Sequence, residues 1–294
     1  MLVMLRSALF FLMTFSPLIP RGFAVEALTK LEACALVRTE WADGDSFLIR
    51  TGDGKEHTLR LYGADCIEWH VTDESDARRL REQRRYFGIV ETGGSAAASI
   101  EVAKEFGKRA GERVAVLLKS PFTVTTAFAD AGGDGKYRRI YGFVTLADGR
   151  DLAAVLVEEG LARAHGVFRK SPDGKLQTEN EEAMHDVELK AARLGRGIWA
   201  RTNWEKLPAE RRLQREEEAD LGLASGKEEA AKNLVLDPNK AARDDLLKLP
   251  GVGERMANRI IEARPYKTVE DLLEVPGIGS KTLMKLRRYL VIGK

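Results

Sequence analysis

The stretch from Asp43 to Glu68, DGDSFLIRTGDGKEHTLRLYGADCIE, organises the chain around it. Asp43-Gly44 and Gly52-Asp53-Gly54 are turn signals flanking two alternating apolar pairs, Phe47/Ile49 and Leu59/Leu61. Apolar residues two apart put one face of each strand on a core, and glycine-bearing turns of this length join such strands as hairpins. From Ala33 to Gly63 the pattern therefore predicts short strands with tight turns, coiling into a small sheet.

Downstream, Ala103, Phe106, Ala110, Val114 and Leu117 recur three and four residues apart and form one helical stripe, which Pro121 ends. Phe122–Phe128 and Arg139–Leu146 read as strands, the second closing at the Asp148-Gly149 turn. Leu152–Glu159 and Glu181–Arg193 read as helices, and the latter runs into Gly195, Gly197 and Trp199. Two groups of strands, each with a helix, fit a small barrel better than a doubly wound sheet. Residues 70–96 interrupt the pattern: Asp73-Glu74-Ser75-Asp76 leads into Arg78, Arg79, Arg81, Arg84 and Arg85, and Gly93-Gly94-Ser95 closes the segment. It reads as an insertion with a short helix of its own.

A chain of 294 residues has room for about two domains. With 44% hydrophobic and 31% charged residues, a packed core is feasible and wholesale disorder is not expected. The net charge of +2 is too balanced to announce a nucleic-acid binder, so a basic footprint must be local. Two cysteines, Cys34 and Cys66, exclude a disulfide framework and a four-cysteine zinc site, and the four scattered histidines offer no zinc spacing. At the amino terminus, Arg6 precedes an apolar run from Ala8 to Phe15, and Gly22-Phe23-Ala24 supplies small residues for cleavage. This pattern predicts a signal peptide over 1–24, hence an exported protein, periplasmic or extracellular. The run falls short of the ~20 residues that span a bilayer, so no stable membrane insertion is expected after cleavage.

Several polar residues fall at strand ends: Asp43 and Asp45 around a glycine, Arg60, then Asp65 and Glu68, and later Arg139. Carboxylates with carbonyl oxygens suit a hard cation, arginine forks grip phosphate oxygens, and a further carboxylate can take a proton from water. These are the parts needed to hydrolyse a phosphodiester. Singly each is weak, since Asp-Gly-Asp is a common hairpin turn. In order, Asp43-Gly44-Asp45-Ser46, Leu59-Arg60-Leu61-Tyr62-Gly63-Ala64-Asp65-Cys66-Ile67-Glu68 and Lys136-Tyr137-Arg138-Arg139 resemble the staphylococcal nuclease (thermonuclease) family. Glu159-Gly160-Leu161-Ala162 and Gly195-Arg196-Gly197-Ile198-Trp199 match it as well. The resemblance covers residues 33–203 apart from the insertion.

That resemblance implies an α+β fold, a five-stranded OB-type β-barrel with helices, and an endonuclease releasing 3′-phosphorylated fragments of DNA or RNA. It implies Asp45, Asp65 and the backbone carbonyl of Cys66 as ligands to calcium, with Asp43 just behind them. Glu68 becomes the general base, Arg60 and Arg139 the phosphate clamp, and Lys136 and Tyr137 contacts to the neighbouring nucleotide. Two positions depart from the family pattern: Ile67 stands where proline precedes the base, and only His165 and Phe168 remain as stacking candidates after Gly-Leu-Ala. The insertion is open to two readings, a gate or added substrate contact at the cleft, or a surface embellishment. Whether Cys34 and Cys66 pair is open as well.

Residues 204–233, with Arg211-Arg212 and Glu216-Glu217-Glu218, read as a charged, solvated helical linker. Beyond it, over 234–294, Leu249-Pro250-Gly251-Val252-Gly253 recurs as Val275-Pro276-Gly277-Ile278-Gly279, each followed by a helical run. This segment holds 12 Lys and Arg against 8 Asp and Glu, so the local basic excess lies here. Pro-Gly-apolar-Gly between helices turns backbone N–H groups outward at a helix start, an anion site that holds a phosphate backbone without reading bases. The repeat resembles a tandem helix-hairpin-helix module of the competence DNA-receptor type, a small all-α domain. Gly251, Gly253, Gly277 and Gly279 would meet the DNA backbone, with Arg255, Arg259 and Lys281 adding charge. The combined reading is an exported calcium-dependent nuclease with a non-specific DNA-holding module. The alternative is a non-catalytic envelope protein for DNA binding or uptake with a degenerate nuclease domain, and Ile67 is the feature that favours it.

Overall fold

The computed structural model describes residues 28–131, 138–224, 234–241 and 243–293. Five strands form one sheet: β1 (Thr29–Val37), β2 (Ser46–Arg50), β3 (Glu56–Leu61), β5 (Phe122–Thr126) and β6 (Arg139–Thr145). The order β1-β2-β3-β6-β5 returns to β1, so the sheet closes as a barrel. Within it, β3 and β6 pair in parallel and the other neighbours antiparallel. Two short strands, β4 (Ala64–Cys66) and β7 (Ala162–Ala164), pair antiparallel as a separate ribbon.

The alternation in the quoted stretch is what builds this barrel. Phe47, Ile49, Leu59 and Leu61 are all at most 2% exposed and share one core with Val124 and Val144. Each such burial contributes about 1.5–3 kcal/mol, which pins the register, because a slip of one residue would turn the set outward. The same period puts the opposite residues on the other face. Ser46 pairs across from Arg60, and Arg60 from Tyr141. Arg60 thus leaves the barrel interior and faces the ribbon and its covering helix.

That covering helix is the insertion. α1 (Glu74–Tyr86) is capped by Asp73, whose carboxylate accepts from the Asp76 N–H at 2.9 Å. Acidic residues in its first turn and Arg84 and Arg85 in its last complement the helix dipole. It runs 13 residues and buries Leu80, Gln83 and Arg84, so it is not a surface embellishment. α2 (Ala96–Leu117) carries the expected stripe and begins at a Ser95 cap. α3 (Leu152–Glu158) and α4 (Gln177–Arg193) close the same core.

α5 (Leu207–Ala224) corrects the expectation of a solvated linker. Glu217 takes a two-pronged ion pair from Arg85 at 2.6 and 2.9 Å, and Arg211 donates to the Tyr86 carbonyl at 3.0 Å. The helix is fastened to α1. The C-terminal residues have a separate apolar core that includes Leu249, Val252, Ile260, Leu272, Val275, Ile278 and Leu286. Among the described residues no helix is long and apolar enough to cross a membrane. The proposed signal segment, residues 1–24, lies outside the described residues.

Candidate active site

At the first turn the Asp43 carboxylate accepts from the Asp45 and Ser46 N–H groups at 3.1 and 2.7 Å, an Asx-type closure that sets the angle at which Asp45 leaves the strand. Asp45 accepts from the Cys66 N–H at 2.8 Å and from the Ser46 hydroxyl at 2.8 Å, and pairs with Arg60 at 3.3 Å. Arg60 reaches Asp65 at 3.0 Å with its other nitrogen. One guanidinium therefore ties two carboxylates together beside the barrel wall.

Asp65 and Arg163 are opposed across the β4–β7 ribbon, and the Arg163 Nε donates to Asp65 at 2.8 Å. Arg163 also donates to Glu82 of α1 at 2.8 Å. Burial pushes the Asp65 carboxyl upward, but the Arg163 and Arg60 guanidiniums outweigh it and hold the group well below the usual carboxylate range. Asp43 goes the other way: burial first, then the neighbouring Asp45 and Glu68 charges, raise it well above its ordinary value.

The insertion reaches this cluster from outside. Gln83, 1% exposed, donates from Nε2 to both Asp65 (2.9 Å) and the Cys66 carbonyl (2.7 Å), while its Oε1 accepts the Glu68 N–H at 2.8 Å. Arg79, one turn earlier, stands 2.5 Å from Glu68 and 3.6 Å from Asp65. Burial raises the Glu68 carboxyl to about 7, and Arg79 pulls against that rise. A base poised there exchanges protons readily near neutral pH.

Ile67, the residue in place of proline, is 1% exposed. A Cβ on Gly107 of α2 would fall 2.3 Å from the Ile67 carbonyl, so the loop lies directly on the helix backbone. Burial of Ile67, this close approach and the Gln83 clamp on Glu68 supply the stiffness that a proline ring gives elsewhere.

Arg139, at the start of β6, completes the site. Its Nε is buried without a hydrogen-bond partner among the described residues. It lines a cleft of about 550 Å³ together with Arg60, Asp65, Arg79, Arg163 and His165. A cleft lined by four arginines is suited to an anionic oxygen.

In the C-terminal segment both hairpins are built alike. The Val252 N–H donates to the Leu249 carbonyl at 3.1 Å, and the Ile278 N–H to the Val275 carbonyl at 2.9 Å. Gly251 and Gly277 sit at φ +77° and +94°, the position where a Pro-Gly turn of this type requires glycine. Gly253 and Gly279 precede the helices Glu254–Glu262 and Ser280–Leu286 with no side chain capping either start. A Cβ on Gly251, Gly253 or Gly279 would meet nothing within 4 Å, so their lack of a side chain leaves room for another molecule's backbone.

The family model described as Staphylococcal nuclease homologue matches residues 58–201. The model described as Helix-hairpin-helix motif matches residues 232–291. This chain carries a staphylococcal nuclease homologue domain followed by a helix-hairpin-helix motif. A search of curated proteins finds no match. The matched span begins within β3, yet the barrel is completed by β1 and β2 and the site by Asp43 and Asp45, both upstream of it.

Within the nuclease-homologue domain, Asp43, Asp45, Arg60, Asp65, Cys66, Glu68 and Arg139 are brought into one neighbourhood. Lys136 and Tyr137 lie outside the described residues, as does the Arg255 side chain. Phe168 is corrected: at 2% exposed it packs beneath Gly63 and offers no face to a base, whereas His165 does line the cleft. Arg259 is corrected as well, since its guanidinium donates to the Pro276 carbonyl at 2.9 Å and pairs with Glu181. Lys281 stands exposed beside the second hairpin. Cys34 and Cys66 are both free and buried, so they do not pair. Burial pushes the Cys66 thiol up, which keeps it protonated under the Gly44 turn.

The calcium ligands implied by the resemblance do not fit calcium in this arrangement. Both Asp65 oxygens are taken by guanidinium and amide donors, both Asp45 oxygens accept hydrogen bonds, and the Cys66 carbonyl is used by Gln83. Among the described residues, no group of three or more His, Cys, Asp and Glu side chains converges as a cation cage. Calcium takes six to eight oxygens, water included, and to use these protein oxygens it would have to displace the guanidinium and amide donors that now hold them. Arg163, Gln83 and Glu82 carry no sequence signal strong enough to mark them as site residues, whereas Arg79 belongs to the arginine run that one reading of the insertion placed at the cleft. The nearest to one is at Arg163, which directly follows the family-matching Glu159-Gly160-Leu161-Ala162 run.

Proposed function

We propose that this chain is an exported endonuclease that hydrolyses nucleic-acid phosphodiesters to 3′-phosphorylated products, its hairpins holding DNA by the backbone without reading sequence. The observation that carries the reading is the cleft that Arg139 and Arg60 line together beside Asp65. A phosphate there would meet two guanidiniums, with Arg60 already held in place by Asp45 and Asp65, so its developing charge is met in a site that needs little rearrangement. Glu68 takes a proton from water, the hydroxide adds to phosphorus, the bond to the 5′ oxygen breaks, and the proton passes to that leaving oxygen.

The hairpins raise the local concentration of substrate. Gly253 of the first hairpin borders the same cleft, which favours a phosphate backbone passing from the hairpin amides to the arginines.

The test is cleavage of plasmid and single-stranded DNA across pH, by the chain and by Glu68→Gln. A base works only when deprotonated, so the rate is expected to rise with pH through about 7 and then level. Glu68→Gln loses at least about 10²-fold, the usual contribution of a general base. Binding without cutting at every pH by the unaltered chain would reject this reading and leave the non-catalytic DNA-binding one.

Removing residues 234–294 is expected to weaken duplex affinity about tenfold or more at moderate salt. It also flattens the salt dependence, by about 0.9 in slope for each phosphate that the shortened chain no longer neutralises. Cutting of short oligonucleotides is retained. Unchanged affinity at every salt concentration would show that the hairpins do not hold DNA.

A further inference from the structure

The insertion does more than cover the site. Arg79 and Gln83 lie four residues apart on one face of α1, and between them they meet Asp65, the Cys66 carbonyl and both the backbone and carboxylate of Glu68. These are the groups on that side of the cluster that a divalent ion would have to recruit. Asp45 is engaged by Arg60. The carboxylates are thus neutralised from within the chain, by a side chain that also lines the cleft.

We propose that Arg79, carried in by the insertion, occupies the cation position of this site and presents its guanidinium to the substrate phosphate, so that the domain works without a divalent metal. The inference rests on the nuclease reading for its catalytic half. Its chemistry is otherwise ordinary. A guanidinium is charged at every working pH, carries five donors, and can bridge a carboxylate and a phosphate oxygen at once. Gln83 holds the loop in place by satisfying the carbonyl and amide on either side of Ile67. Because Arg79 is about one-third exposed, its replacement does not uncover a core.

The experiment has two readouts on the full chain. Equilibrium dialysis against radioactive calcium at about millimolar concentration measures binding without turnover. Plasmid cleavage is followed in chelator and in calcium. The expected results are no stoichiometric calcium on the unaltered chain and cleavage rates in the two buffers within about threefold. In chelator, Arg79→Ala loses at least about tenfold, and Arg79→Lys retains more activity than Arg79→Gln because it keeps the charge. A merely structural contact would not separate Lys from Gln in that order. One calcium bound per chain and lost in Asp65→Asn would overturn the proposal, as would a chelator rate that Arg79→Ala leaves unchanged. If the chain cuts nothing in either buffer, the nuclease reading fails, and dialysis still shows whether the cation position is filled.

Discussion

Arg139→Ala is expected to lower kcat on DNA by about 10²–10³-fold, the usual cost of deleting one preorganised donor to transition-state charge. Its Nε has no hydrogen-bond partner among the described residues, so that bond is not lost on substitution, and the fold is expected to survive. The effect falls on turnover more than on KM, because the hairpins and Arg60 still hold the strand while the leaving oxygen loses its counter-charge. Arg139→Lys is expected to recover little, since an ammonium cannot reproduce the planar fork that spans two phosphate oxygens. Single-turnover cleavage of a labelled oligonucleotide, read beside a thermal melt, checks both statements. A loss below about threefold with an unchanged melt would remove Arg139 from the reaction.

Arg163→Met is expected to carry the largest stability cost in the nuclease-homologue domain, about 3 kcal/mol, the lower end of the range for breaking a buried ion pair from one side. The methionine fills much of the volume but leaves Asp65 with one donor fewer and Glu82 without its 2.8 Å partner. The remaining Arg60 and Gln83 contacts to Asp65 keep the cost from reaching the upper end. Urea unfolding followed by tryptophan fluorescence should show a lower midpoint with unchanged slope, the sign of altered stability without altered compactness. A midpoint shift worth less than about 1 kcal/mol would mean that water or a neighbour replaces Arg163 at no cost.

The barrel was legible because its signal is repetitive. Phe47, Ile49, Leu59 and Leu61 each report the same alternation, and a period read several times over tolerates an error in any one residue. The two hairpins were legible for a similar reason, since the Pro-Gly-apolar-Gly pattern occurs twice and positive φ at Gly251 and Gly277 leaves few other residues possible. The cluster of Asp45, Arg60, Asp65, Glu68 and Arg139 was legible through the family resemblance that its order and spacing carry, since each residue alone is a weak signal.

What could not be read is how the insertion meets that cluster. Whether Arg79 points at solvent or at Glu68 depends on where α1 docks, and docking is set by Leu80 and Arg84, whose burial leaves no mark on local sequence periodicity. Arg163 was hidden by register: only the pairing of β4 with β7 places it opposite Asp65. The same applies to α5, whose charged composition read as solvated although Arg85 and Arg211 fasten it to the insertion. Charges that find specific partners and charges that face water look alike in a sequence.

The fastening of α5 to α1 also sets a length. The helix is tied down at Glu217 and ends at Ala224, and the C-terminal core resumes at Leu234. Ten chain steps span at most about 35 Å when drawn straight, at roughly 3.5 Å each. Measured along a duplex at roughly 3.4 Å per base pair, that is about ten base pairs. On the proposed nuclease reading this short tether keeps the hairpins near the cleft that Gly253 borders, so fragment ends would lie close to where the protein holds the duplex.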